Sequence, residues 1–266
     1  MHPNAEVNMA EGRELVRGEE AGGAQQRVLV MHAVLTGLTP LIPVPLLDDL
    51  VKNYFRKRLV RSLAAGAGRT LSEEELDALA SEGGSGCLRG CVGAVLVYPL
   101  KAVFRKVFYF LEWKRAADLT SRTYHFGYLI GHALRRREGG APSLLDTHGA
   151  RAVNEAVEAV CRETPIKPLE SAVGGTFRKS KGVLRGAAAL LSGSLRRQPP
   201  RPERVAEAIE SIEPDEEREL QPVVTRLQSS IASVPEDHFR SLRDSLEARL
   251  KQYASGSTGA VSRGDN

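Results

Sequence analysis

Four residues of this 266-residue chain recur at a spacing that could support chemistry: Asp118, Arg122, His125 and His132, at steps of four, three and seven. On a helix those steps place all four on one stripe. A carboxylate, a guanidinium and two imidazoles in line are the raw material of an acid–base or metal site, because imidazole titrates near neutrality and ligates metals through a neutral nitrogen. The same pattern also describes a buried ion pair with a hydrogen-bonded histidine, or a solvated helix face. Nothing else in the chain completes a site around it. Cys87 and Cys91 stand four apart, but no Cys or His pair at finger-like spacing accompanies them, so they read as two small core residues. The glycine runs around Gly83, Gly139 and Gly174 lack the Lys-Ser/Thr of a phosphate loop and the strand that opens a dinucleotide fold. The chain therefore reads as non-enzymatic, with no cofactor and no metal; a helical metal-dependent enzyme using Asp118, His125 and His132 is the third choice.

The stripe must ride on a long helix, expected over residues 100–137. It ends in Arg135, Arg136 and Arg137 just before Gly139 and Gly140, as the helix dipole and a glycine stop require. Its other faces carry Phe110, Trp113, Tyr124, Tyr128 and the small pair Gly127 and Gly131, which permits close approach of a neighbouring helix. The remaining elements are also helical. Residues 50–63 repeat apolar side chains at three and four, and Gly66 and Gly68 stop that helix. Ser72 followed by Glu75 is a capping box for a short helix reaching about Ser81. Residues 143–163 and 166–197 read as two more helices. The expected fold is all-α: a multi-helix bundle with one long central helix and a small C-terminal helical appendage. Its divisions are a disordered leader over 1–24, a helical core domain over 25–197, the Pro-rich linker 198–202, an acidic helical appendage over 203–253 and a disordered tail over 254–266.

Charge is divided along this plan. Residues 41–202 hold 26 Lys and Arg against 15 Asp and Glu, an excess of 11 positive charges, whereas residues 203–266 hold 8 against 13, an excess of 5 negative. Such a field draws anionic surfaces to the middle and repels them from the end. The basic residues cluster as Lys52, Arg56, Lys57, Arg58 and Arg61; as Lys101, Arg105, Lys106, Lys114 and Arg115; and as Arg178, Lys179, Lys181 and Arg185. Aromatic residues interleave with the first two clusters, as in helices that lie on a lipid surface.

The most apolar stretch, 28–47, is uncharged if His32 is neutral, but Pro40, Pro43 and Pro45 forbid a continuous helix through its second half. It is expected to be a helix ending at Gly37 and then an apolar connector. That connector reads either as a wedge entering the membrane interface or as a buried loop between core helices. Residues 36–64, TGLTPLIPVPLLDDLVKNYFRKRLVRSLA, with the Ile42, Pro43, Pro45 and Asp48 run as their most specific part, resemble bacterial membrane-associated helical families of the YcjF-type and EcsC-type. The resemblance covers about a tenth of the chain and implies membrane proximity, with no known activity. On it, the candidates for membrane contact are Leu38, Leu41, Ile42, Val44, Leu46, Arg56, Lys57, Arg58, Lys101, Arg105 and Lys106.

The first reading is thus a peripheral or monotopic membrane-associated protein whose partner is an anionic membrane surface. The second is a soluble helical scaffold for a protein partner or for itself as a homo-oligomer, the acidic end docking on the basic middle. Specific nucleic-acid binding is not expected, since no helix-turn-helix, zinc-finger or RNA-recognition signature is present. Residues 1–23 carry Glu6, Glu11, Glu14, Glu19 and Glu20 with no basic start to an apolar run, unlike a secretory signal. Three cysteines cannot all pair within one chain. Both points favour a cytoplasmic protein, at the inner face of the membrane under the first reading.

Overall fold

Pro40 marks the end of the first described helix. The computed structural model describes residues 22–42, 48–81, 105–136, 146–196, 198–199 and 201–261. Helix α1 covers 22–38 and gives way at Thr39–Leu41 to a single 3-10 turn, closed by the Ile42 amide donating to Thr39 at 3.1 Å. There follow α2 (Asp48–Gly66), α3 (Glu73–Ala80), α4 (Arg105–Arg135), α5 (Thr147–Glu163), α6 (Lys167–Lys179), α7 (Lys181–Leu195), α8 (Pro202–Glu210), α9 (Glu213–Ile231) and α10 (Glu236–Val261). The described residues contain no strand, and the chain is an all-α multi-helix bundle with α4 as its long helix.

Local chemistry explains most of the boundaries. Gly68 takes φ +68° after α2, a backbone state that suits glycine. Ser72 accepts from the Glu75 amide while Glu75 accepts from the Ser72 amide, the capping box expected for α3. Asp146 caps α5 by accepting from the Gly149 amide at 2.6 Å. The helix expected over 166–197 breaks in two, and not at its glycines. Gly174, Gly175, Gly182 and Gly186 all stay helical, while the chain turns at Ser180, whose hydroxyl accepts from Arg226 of α9 at 2.9 Å. Helix α10 runs on to Val261, past the expected end near Tyr253.

The core is organised around α1. Every residue from 29 to 39 is buried, so this helix is enclosed on all sides. Its polar side chains bond to their own backbone: His32 Nδ1 lies 2.9 Å from the Val28 carbonyl, Thr36 donates to His32 and Thr39 donates to Thr36. Two glycines bring neighbours close. A Cβ on Gly37 would run into the Thr120 hydroxyl and lie 2.9 Å from the Ala116 carbonyl of α4. A Cβ on Gly127 of α4 would strike Leu29 of α1 and lie 2.9 Å from Leu59 of α2. The small pair seen in the sequence thus serves packing inside the bundle. Around this centre, α2, α5, α6 and α10 all contact α4, and α3 packs on α5.

The acidic C-terminal helices follow the linker as expected, but they do not form a separate layer. Val205 and Ile209 of α8, Leu220, Val224 and Leu227 of α9, and Leu242, Leu246 and Leu250 of α10 are buried in the same apolar cluster as α1 and α4. Helix α8 contacts α2 and α7, α9 contacts α6 and α7, and α10 contacts α4 and α5. Their apolar stripes at helical spacing needed a partner, and the body supplies it.

Substituting two helical glycines should move stability in opposite directions. Gly37→Ala is expected to cost about 1–3 kcal/mol by overpacking against α4, whereas Gly174→Ala, which has open space around it, should gain about 0.5–1 kcal/mol. Urea midpoints of the two variants check this; a stabilised Gly37→Ala would contradict the close α1–α4 packing.

Candidate functional site

The polar stripe on α4 does not gather into one centre. His125 is 1% exposed and its Nε2 lies 2.8 Å from Nε2 of His238 at the start of α10, the ring centroids being 5.0 Å apart. Two ring nitrogens at that distance share one proton, one donating and the other accepting. Burial pushes the His125 pKa down to about 4, with the His238 and Arg122 charges adding to the effect, and burial lowers that of His238 as well. About two turns further along, His132 Nε2 meets Glu247 Oε1 at 2.9 Å, and Arg136 holds the other oxygen at 3.0 Å. Asp118 is half-buried and bonds neither histidine, and Arg122 is exposed. Among the described residues no group of three or more His, Cys, Asp or Glu could hold a metal ion. What the stripe does in this structure is fasten α10 to α4, through His238, Glu247 and the Arg243 guanidinium donating to the Tyr128 hydroxyl at 2.8 Å.

The basic face of α2 is spent within the chain. Arg56 pairs with Glu158 of α5 and lies 3.7 Å above the Phe126 ring. Lys57 pairs with Asp77 of α3, Arg58 with Glu213 and, at 3.4 Å, Glu217 of α9, and Arg61 with Glu73 at 2.8 Å. The Arg56 and Arg58 side chains are only 11% and 18% exposed. Of the apolar candidates, Leu38 and Ile42 are core residues and Leu41 is half-buried. Leu38, Ile42, Arg56 and Arg58 are therefore corrected as contacts for a bilayer: the first two are sealed under helices and the last two are neutralised by carboxylates. Val44, Leu46, Lys101, Cys87, Cys91 and the glycines at 83 and 139 lie outside the described residues. So do the side chains of Arg105 and Lys106, whose backbone opens α4.

Beside the Arg58 pair, Glu216 is 1% exposed. Burial pushes its pKa up to about 8; Arg58 opposes that, and Glu217 and Glu219 add to it. Its Oε1 has no hydrogen-bond partner. The carboxyl is thus held protonated near neutral pH.

Parts of the predicted basic set stay open to solvent, among them Arg178, Lys179, Lys181 and Arg185 on α6 and α7. At the start of α4, Leu111 is 45% exposed, one of three large apolar side chains so exposed among the described residues, and Lys114 and Arg115 follow it on the surface. Trp113 is turned inward against Phe177, rings 6.4 Å apart and perpendicular, with the Lys181 ammonium 5.9 Å from the indole. In the sequence, Val107 and Phe108 precede Leu111 by four and three residues. No helix of the described residues is long and apolar enough to cross a membrane.

Sequence reasoning missed His238, Glu247, Glu158, Glu213 and Glu216. Their partners on α2 and α4 lie 102 to 155 residues away in the chain, apart from Glu216, whose Oε1 meets no hydrogen-bond donor. The excess of acid beyond residue 203 was the available signal, and it named a region without naming residues. No family profile, curated protein or solved structure matches the chain.

Two pH effects follow from the buried groups. His32 and His125 both have pKa values lowered to about 4. The unfolded chain takes up protons below about pH 6.5 that the folded one refuses, so stability present above that pH is lost as pH falls toward 4, by up to roughly 3 kcal/mol per histidine. His125→Gln should flatten this acid limb in urea titrations at pH 7 and pH 4.5; an unchanged limb would show that His125 is charged in the folded state. Glu216 acts at the other end. The folded protein keeps its proton to about pH 8 while the unfolded chain loses it near 4.5, so stability declines between those values. Glu216→Gln should raise the melting temperature relative to the parent more at pH 8.5 than at pH 5.

Proposed function

We propose that the chain is a non-enzymatic protein that docks peripherally on an anionic membrane surface through the first turns of α4. The observation that carries this reading is the order of exposed groups there: an apolar Leu111, preceded in the sequence by Val107 and Phe108, then exposed Lys114 and Arg115 one turn further on. A helix end of that kind can lay its apolar turn at the depth of the first acyl carbons while the basic turn meets lipid phosphates. Each basic residue beside an anionic leaflet contributes about 1 kcal/mol. The resemblance of residues 36–64 to bacterial membrane-associated families points the same way, although the α2 cations that carry part of it serve internal ion pairs. On this reading the protein works at the cytoplasmic face of the membrane.

A soluble scaffold for a protein partner is the second reading, and one observation favours it. The acidic helices α8 and α9 occupy the basic face of α2, through Arg58 with Glu213 and Glu217 and through the Tyr54 hydroxyl donating to Glu210 at 3.3 Å. A chain that neutralises its own cations has fewer to offer lipid.

Co-sedimentation of the full chain with vesicles separates the two. Binding to phosphatidylcholine vesicles containing phosphatidylserine is expected, with little to phosphatidylcholine alone. Lys114→Glu with Arg115→Glu should weaken it by ~10-fold or more, and Leu111→Glu should weaken it further, while Arg240→Glu on α10 should not. A parent protein that stays in the supernatant at low salt, or a Leu111/Lys114/Arg115 variant that still pellets, removes the membrane reading and leaves the scaffold.

A further inference from the structure

A cleft of about 580 Å³ opens between the beginning of α1, the end of α2, the middle of α4 and the turn joining α9 to α10. Its size is that of a small-molecule site. Gly127 and Leu63 line its floor, where Leu29 and Leu59 close in on Gly127. One wall is aromatic. Tyr124 and Tyr128 stack with an interplanar angle of 12°, and Phe239 of α10 sits 6.2 Å and 5.2 Å from their ring centres.

The polar end of the cleft is built from two residues that hold each other. Arg135 donates to Gln25 Oε1 at 2.6 Å, which fixes both side chains. The Gln25 amide nitrogen is buried and reaches no acceptor among the described residues. Arg135 has no carboxylate partner among them either, and a guanidinium has five donors of which this contact uses one. A donor left without an acceptor at a buried position, as at the Gln25 amide, is costly unless a ligand or solvent meets it, whereas the Arg135 guanidinium stands at an exposed position, open to an incoming anion. On the facing side Arg243 is already engaged by Tyr128 and by Glu236 at 3.0 Å, so the charge left over among the lining groups is one positive.

We propose that this cleft binds a small amphipathic monocarboxylate, its acid group received by Arg135 and the Gln25 amide and its apolar body lying along Tyr124, Tyr128 and Phe239. A single unbalanced cation beside a neutral amide suits a monoanion, and planar guanidinium geometry suits a carboxylate. Glu236 at the rim disfavours a doubly charged headgroup. The inference stands apart from the membrane reading, because the cleft shares no residue with the Leu111 surface.

Calorimetric titration of the full chain with decanoate tests it, with decanol and decyltrimethylammonium as neutral and cationic controls. One-to-one saturable binding of decanoate is expected, ~10-fold or more tighter than either control. Arg135→Gln should weaken it by a similar factor. Ala232→Trp, at an exposed position on the cleft wall, should abolish it without changing the melting temperature. Absence of decanoate binding, equal affinity for all three amphiphiles, or decanoate binding that survives either substitution overturns the proposal. Lys114→Glu with Arg115→Glu should bind decanoate as the parent does.

Discussion

Enclosure of α1 is the constraint on which the arrangement depends. A helix whose residues are buried without interruption from 29 to 39 has no solvent face, so every direction around it must be supplied by another part of the chain. That demand explains why α4 comes close enough for Gly37 and Gly127 to matter, and why the C-terminal helices join the same core. It also explains the polar residues within α1. His32, Thr36 and Thr39 have no water to turn to, and each bonds a carbonyl three or four residues away, although Nε2 of His32 is left without a partner. The described part of the apolar segment thereby becomes the enclosed axis of the bundle.

Electrostatics then fixes how the outer helices settle. An excess of positive charge in the middle and negative charge at the end is met by pairs that cross between them, Arg58 with Glu213 and Glu217 and Arg136 with Glu247, while Arg56 with Glu158 lies within the middle and Arg249 with Glu163 runs the other way. The exposed pairs contribute little to stability. The half-buried ones at Arg56 and Arg58 matter more for orientation, because removing one partner would strand the other away from water. Glu216 shows the opposite solution to the same problem, a carboxyl that keeps its proton rather than find a cation.

Much of this fold was legible in the sequence. The capping box at Ser72, the stop at Gly68 and the proline boundary after Gly37 are local devices, and each appears where its residues predicted. The break at Ser180 was not legible, since it is held by Arg226 from a helix 46 residues away. The site was harder still. The stripe on α4 was correctly placed on one helix, but the residues that give it meaning, His238 and Glu247, arrive from α10 through packing that no spacing rule encodes. Helical periodicity shows which face is apolar; it does not show which helix will cover it. The cleft residues Gln25, Arg135 and Phe239 come from three separate helices and share no pattern along the chain.

The long reach of the Arg58 contact has a bearing on how the protein is made. Its carboxylate partners stand 155 and 159 residues downstream, in the last quarter of the chain. A chain emerging from the ribosome in order therefore presents α1 and the cations of α2 well before the acids that will cover them exist. Through that interval the nascent bundle is both greasier and more positive than the finished one, and the acidic helices arrive as the closing piece. A chain cut short before α9 would keep the character of the unfinished state.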